Sequence, residues 1–228
     1  MIQGMTANRF IGSTRVALLL FSAFYLNACS AQDNLPPRTS ESAAQSSPSP
    51  SPAGPTQAAP ALKKSGITYE DRKAWRAVLK WPDECEEAFD YPDKNFGGIE
   101  VHRLSDRQYL VAVTCTLGAY QGYQLYYFYD ETAAGHAARP LTFESRESQD
   151  GDSLTEIRTE EVWGQPTFDE GAKELKVFNR FRGPGDCGIL ATYEFVNGEP
   201  SLKELRAKTA CDGRDGGGPE KWKKVALR

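Results

Sequence analysis

Residues 108–130 decide the fold class, and they read Gln-Tyr-Leu-Val-Ala-Val-Thr-Cys-Thr-Leu-Gly-Ala-Tyr-Gln-Gly-Tyr-Gln-Leu-Tyr-Tyr-Phe-Tyr-Asp. In Gln108–Leu117 apolar or aromatic side chains recur at every second position, which is the period of a β-strand. Gly122–Asp130 carries aromatic rings at both odd and even positions, so it predicts a strand with rings on both faces. Aromatic side chains are ordinary core material in strands, and they also form surfaces that bind sugars or proteins.

The segments on either side of this stretch predict two short helices and further strands. Thr68 and Asp71 predict a helix start, and Pro82 predicts the start of a second short helix. Strand-like segments separated by turn residues follow. Together they predict a mainly β (α+β) domain, an antiparallel sandwich or open barrel of about seven or eight strands with a short N-terminal helical segment. The predicted strands are 99–104, 108–117, 122–130, 139–146, 154–163, 174–182, 188–196 and 201–209.

The N-terminus predicts export and lipid attachment. Residues 1–28 begin with basic residues, continue with a short apolar run at Val16–Leu26 and end with small residues before a cleavage site, as in a secretory signal peptide. The sequence at this cleavage site, Leu26-Asn27-Ala28-Cys29, resembles the lipobox of bacterial lipoproteins. That resemblance implies an acylated Cys29, which binds the chain to a membrane. Ser30 after the cysteine resembles the outer-membrane sorting signal, so we expect a location in the cell envelope, on the outer membrane facing the periplasm.

The next segment predicts a tether and then a single domain. Residues 29–60 are mostly Ser, Pro, Ala and Gln, a composition that cannot bury enough apolar surface to fold. Residues 61–228 are long enough for one hydrophobic core. The whole chain has 27 basic and 31 acidic residues. This mild acidity argues against a nucleic-acid partner.

Four further cysteines predict two disulfides. An even number of cysteines in an exported domain indicates disulfide bonding, and Cys85, Cys115, Cys187 and Cys211 allow three connectivities. Asn197-Gly198 is typical of a tight hairpin turn, because both residues tolerate a positive φ. Folding back at this turn brings Cys187 close to Cys211 and leaves Cys85 to pair with Cys115.

The sequence contains few motifs with specific chemistry. Gly183–Gly188 formally matches the glycine pattern of dinucleotide sites, but a strand follows it where such a site needs a helix. We interpret it as a type II turn with Pro184 and Gly185 at its centre, and we expect no nucleotide. We also expect no catalytic nucleophile, no metal site and no cofactor. The candidate binding residues are Tyr120, Tyr123, Arg182 and Asp186, although a structural ion pair is an alternative role for the last two.

Three segments resemble a known family. They are Cys115–Tyr120, Arg182–Gly188 and Cys211–Gly213, with Trp222 beyond them, and they look like the C-terminal part of domain of unknown function 1176. The resemblance covers roughly Trp81 to the C-terminus. It implies export and a shared fold, and it transfers no catalytic residues because the family has no established activity.

Three classes of function follow from these observations, and one of them is an assembly factor for envelope complexes, which needs a stable membrane partner. The leading class is a non-catalytic binding or structural module of the envelope, with an inhibitor of wall-degrading enzymes as a variant. Its partner is an envelope protein or a cell-wall polymer. The second is an envelope hydrolase that acts on wall polysaccharide through paired carboxylates, about 5–9 Å apart. This second class predicts two facing carboxylates in a groove lined by Tyr120–Tyr129.

Overall fold

The described part of the chain opens with two short helices. A computed structural model describes residues 62–131, 135–148, 153–214 and 216–227. Helix α1 spans Tyr69–Leu79, and Thr68 and Asp71 form the predicted capping box at its start. Helix α2 spans Asp83–Ala88 and follows Pro82. The face of α1 that carries Trp75 and Leu79 is buried, as the helical spacing of these residues predicts.

The rest of the described chain consists of β-strands and their connections. A short 3₁₀ turn occupies Pro219–Lys221. The strands are β1 Ile99–Arg103, β2 Gln108–Thr116, β3 Gly122–Asp130, β4 Ala137–Pro140, β5 Phe143–Ser148, β6 Leu154–Thr159, β7 Val162–Asp169, β8 Glu174–Arg180, β9 Gly188–Val196, β10 Glu199–Lys208 and β11 Lys223–Lys224.

Nine strands form one antiparallel sheet that does not close into a barrel. Its order is β1-β2-β3-β7-β8-β9-β10-β11, with β4 beside β3. Strands β5 and β6 pair only with each other, as a separate two-stranded hairpin. The predicted fold class, mainly β with a short N-terminal helical segment, is therefore confirmed. The strand count exceeds the prediction because two predicted strands are each divided in two and because the two-residue strand β11 carries no alternation signal.

Strand β7 joins the two halves of the large sheet. Its first residues, Val162–Gly164, pair with β3, whereas Gln165–Asp169 pair with β8. Gly164, the residue at which β7 changes its partner strand, has a φ of 137°. A Cβ at this position would lie 2.6 Å from the carbonyl oxygen of Phe178, so only glycine allows the strands to approach this closely.

The sheet has a separate hydrophobic core on each face of β2 and β3. The first core contains the helices and the side chains that point to them: Trp75, Leu79, Trp81, Cys85, Val111, Val113, Cys115, Leu125, Tyr127 and Tyr129. The second core joins the opposite face to β8, β9 and β10: Leu110, Ala112, Tyr126, Leu141, Phe143, Val177, Ile189, Ala191, Tyr193 and Leu205. The rings of β3 thus enter both cores, which explains why they occupy both odd and even positions.

Two predicted strands are each divided in two. The segment 139–146 breaks after Pro140, because proline cannot donate the next ladder hydrogen bond, and β5 begins at Phe143. The segment 154–163 breaks at Glu160-Glu161, and Val162 begins β7 in the other sheet. The predicted turn at Pro184 is shifted by one residue. Its hydrogen bond runs from the Gly185 amide to the Arg182 carbonyl, and Gly185 has the expected positive φ of 73°.

Both disulfides have the connectivity that the hairpin predicts. Asn197 and Gly198 have φ values of 54° and 79° and connect β9 to β10 through a two-residue turn. Cys187, just before β9, is bonded to Cys211, just after β10. Cys85 in α2 is bonded to Cys115 in β2 and fixes the helices to the sheet.

Candidate functional site

The predicted binding residues Arg182 and Asp186 form a local ion pair. The Arg182 guanidinium donates two hydrogen bonds to the Asp186 carboxylate, at 2.8 and 2.6 Å. Asp186 is buried, and its carboxylate also accepts a hydrogen bond of 2.7 Å from the Gly213 amide. The Arg182 hydrogen bonds hold the pKa of Asp186 well below its usual range, with a further contribution from Gly213. The pair therefore connects the turn before Cys187 to the loop after Cys211, which is a structural role.

Tyr120 lies beside this turn, on an exposed loop. Its ring is 3.9 Å from the position that a Cβ of Gly183 would occupy, and 43% of Tyr120 is exposed. The next residue, Gln121, holds the loop in place. Its side-chain amide donates to the Asn179 side chain and the Arg180 carbonyl and accepts from the Arg180 amide, at 2.9, 3.2 and 2.9 Å. Gln121 thus links the start of β3 to the end of β8.

Tyr123, the fourth predicted binding residue, packs against Trp163. The two ring centroids are 5.0 Å apart. Trp163 is 43% exposed, and its indole Nε1 is 3.4 Å from the Glu161 carboxylate. Further along β3, Tyr126, Tyr127 and Tyr129 are buried in the two cores. The aromatic stretch is therefore mainly core material. Among the described residues, Tyr120 and Gln124 line one cleft, and Tyr123 and Leu125 line another beside three glutamates, so only parts of the stretch that the hydrolase hypothesis names face a cleft.

A cleft of about 300 Å³ opens beside Trp163, between the β5–β6 hairpin and strands β7, β8 and β9. Phe143 and Tyr193 contribute buried rings, and the Tyr193 hydroxyl donates to the Glu144 carbonyl at 3.0 Å. Burial raises the pKa of Tyr193 to about 12, so this hydroxyl stays protonated at neutral pH. The polar side chains that line the cleft are Gln121, Ser145, Arg146, Glu147, Thr159, Glu161 and Asn179.

Arg146 is the buried cation of this cleft. Only 6% of it is exposed, and its guanidinium pairs with Glu144 at 3.4 Å and Glu156 at 3.1 Å. These two carboxylates supply more negative charge than the one guanidinium carries. Arg146 therefore holds β5 to β6 and leaves no net positive charge in the cleft.

A second cleft lies on the other side of the aromatic pair. It is lined by Glu84, Tyr123, Arg158, Glu160 and Glu161, together with Pro82, Cys85, Leu125 and Thr159. Thr159 and Glu161 line both clefts, so the clefts are adjacent. The tilted pair of rings forms the ridge between them, with Trp163 in the first cleft and Tyr123 in the second. We call this ridge with its carboxylates the aromatic–acidic surface. It consists of Tyr123, Trp163, Glu84, Glu147, Glu160 and Glu161.

The four glutamates of this surface share an unusual feature. Within the described residues none of them forms an ion pair, and apart from them only Glu87 and Glu194 lack one. Among all the described residues no group of three or more His, Cys, Asp or Glu has the geometry to hold a metal ion. The surface thus consists of an exposed tryptophan on a half-buried tyrosine, surrounded by glutamates that form no ion pair with any described residue.

Sequence reasoning identified Tyr123 but missed Trp163 and the glutamates around it. Trp163 lies near the end of the predicted strand 154–163, and nothing in the local sequence distinguishes an exposed ring from a buried one. Glu160-Glu161 reads as an ordinary polar break. Their association depends on β7 pairing with β3, a contact that local sequence does not encode.

Cys29 and the tether 29–60 lie outside the described residues, as does the signal peptide 1–28. In the part of the chain that the structure does describe, no helix combines the length and apolarity needed to cross a bilayer.

Comparison with known proteins identifies the class. Residues 38–227 match the family model described as a protein of unknown function, DUF1176, and the chain belongs to this family. The match begins earlier in the chain than the resemblance at Trp81 implies. The chain is also similar to the uncharacterized protein YpfG of Escherichia coli strain K12, with 28% identity over 124 residues. That alignment covers 54% of this chain and 33% of the relative, so the chain spans a third of the curated protein that it matches. No solved structure matches the chain.

Proposed function

We propose that this protein is a non-catalytic binding module of the bacterial cell envelope, held to a membrane through acylated Cys29. The observation that carries the proposal is the exposed Trp163, which packs at a tilt against Tyr123 beside a cleft of about 300 Å³. A tryptophan that is 43% exposed costs free energy in water, and exposed rings next to a cleft are typical of binding sites.

The extracytoplasmic location is supported by independent features of the chain. Two disulfides persist in an oxidising compartment such as the periplasm. The Leu-Asn-Ala-Cys sequence before Ser30 is consistent with lipidation and with sorting to the outer membrane, where the domain faces the periplasm. The Ser/Pro/Ala-rich segment 29–60 then gives the domain enough reach to meet an envelope component at a distance.

Photocrosslinking from a position beside Trp163 tests the binding role. A photoreactive amino acid replaces Gln165, which is exposed two residues after Trp163, in the full-length protein made in bacteria. We expect a discrete covalent adduct with an envelope component, and we expect Trp163→Ala to abolish it. Val196→Ala is the matched control, because Val196 is 52% exposed on the distant β9–β10 hairpin. An adduct that forms equally with Trp163→Ala contradicts the proposed site.

One observation favours the hydrolase as a second candidate. Glu147 and Glu161 line the same cleft, as the pair of carboxylates in a glycosidase does. Both residues are exposed, however, whereas a general acid is usually held in an apolar setting that keeps it protonated. Incubating the purified protein with isolated cell wall distinguishes the two functions. Soluble sugar fragments that disappear with Glu161→Gln indicate catalysis, and an intact wall supports the binding module.

A further inference from the structure

The aromatic–acidic surface combines two features that attract cations. The faces of Trp and Tyr rings carry negative electrostatic potential and bind ammonium or guanidinium groups. Burial raises the pKa of Tyr123, and the charges of Glu161 and Glu84 raise it further, so these two carboxylates act directly on the ring. The rings and the carboxylates thus attract the same kind of group.

The local cations do not neutralise this surface. Arg146 is already paired with Glu144 and Glu156, which lie outside the surface. Arg158 lines the second cleft, but no carboxylate of the described residues comes within ion-pair distance of it. Lys80 lines a third cleft together with Glu160. Four glutamates therefore face one unpaired arginine and one lysine, and a net negative charge remains.

The aromatic–acidic surface extends over two adjacent clefts. Glu147 lines one, Glu84 and Glu160 line the other, and Glu161 lines both. A single small cation occupies only one of these places, whereas an extended peptide with several basic side chains reaches both. From this charge complementarity we propose that the aromatic–acidic surface binds lysine side chains of a partner protein. The proposal rests on the proposed binding function and adds the chemical class of the ligand.

Titration with a defined peptide tests the proposal. The probe is an N-acetylated, C-amidated trilysine peptide, added to the full mature protein in neutral detergent and followed by calorimetry. Trp163 fluorescence gives a second signal, since Trp75, Trp81 and Trp222 are at most 4% exposed. We expect Trp163→Ala and Glu161→Gln each to weaken binding about tenfold, the size of a partly desolvated cation–π or charge contact. Added salt should weaken binding as well.

Three controls make the result specific. Glu194→Gln removes another exposed, unpaired glutamate that lines neither cleft, so it should leave the affinity unchanged. The same peptide with acetylated lysine side chains has lost its charge and should not bind. Spermidine, a free polyamine, should bind more weakly than the peptide. The proposal is overturned if the acetylated peptide or spermidine binds as tightly as trilysine, or if Glu194→Gln weakens binding as much as Glu161→Gln.

The peptide titration and the crosslinking experiment test the two proposals separately. If Trp163→Ala abolishes the envelope adduct but trilysine does not bind, the binding function stands and the lysine proposal is wrong. If trilysine binds through Trp163 but no envelope adduct forms, the surface recognises cations and the proposed function in the envelope is wrong.

Discussion

Arg72 connects helix α1 to three other parts of the structure. The residue is fully buried, and its guanidinium donates to Glu86 in α2, to the Gly97 carbonyl and to the Thr114 carbonyl in β2, at 2.9, 3.0 and 3.1 Å. It also lies over the Phe89 ring, 3.9 Å from the centroid. Each donor has a partner, which offsets the cost of burying the charge.

Replacing Arg72 should therefore be strongly destabilising. Arg72→Met leaves two carbonyl groups without this donor and leaves the Glu86 carboxylate with only the Trp81 indole as a side-chain donor, and we expect it to lower the free energy of unfolding by about 3–5 kcal/mol. Arg76→Met, also on α1, removes an ion pair with the exposed Asp83 and should cost no more than about 0.5 kcal/mol. Urea denaturation measures both. Equal losses in the two variants contradict the assigned role of Arg72.

Asp186 predicts how stability depends on pH. Its pKa is lowered in the folded protein by Arg182, whereas the unfolded value is about 3.9. A carboxylate whose pKa is lower in the folded than in the unfolded protein stabilises the fold at every pH above its unfolded pKa. That stabilisation decreases as the pH falls below about 4. We expect Asp186→Asn to lower the melting temperature at pH 7, and we expect its difference from the wild type to shrink progressively as the pH falls from 4 to 2. A difference that is constant from pH 7 to pH 2 contradicts this.

At the scale of elements, the two disulfides have similar loop lengths but different surroundings. Their cysteines are 30 and 24 residues apart, so loop-closure entropy gives each about 3.5 kcal/mol. Cys85 and Cys115 are both buried in the core between helices and sheet, whereas Cys211 is exposed. The burial of the cysteines therefore determines which disulfide contributes more to the free energy of unfolding.

We expect the alanine pair at Cys85 and Cys115 to destabilise the protein more than the pair at Cys187 and Cys211. The difference should be about 1 kcal/mol or more, because alanine leaves a void where the two buried sulfur atoms were. Guanidinium denaturation of the two double variants measures it. Equal stability of the two variants, or the reverse order, shows that packing around the core disulfide contributes little.

At the scale of the whole molecule, the attachment through Cys29 is the prediction with the widest consequences. Cys29→Ser removes the thiol that would carry the diacylglycerol group, so we expect the protein to lose labelled palmitate and to move to the soluble fraction. Ser30→Ala, at the adjacent position, should keep the label. A labelled, membrane-bound Cys29→Ser protein means that the chain is held by another route.

The sequence by itself determined the features that depend on short-range chemistry. These are the capping box at Thr68, the alternation in β2, the turn at Asn197-Gly198 and, through that turn, the disulfide connectivity. Each arises from the conformational preferences of a few adjacent residues. The buried role of Arg72 was not among these features, because an arginine on a helix is ordinarily exposed.

Only the tertiary structure decided the location of the candidate site. Trp163, Glu84 and Glu147 come from a strand, a helix and a separate hairpin, and they line two adjacent clefts because β7 pairs first with β3 and then with β8. The packing of a core on each face of β3 placed most of its tyrosines in the interior, whereas Arg182 and Asp186, four residues apart, form a local pair. Such long-range pairing reflects the packing of both cores together, and no local sequence pattern encodes it.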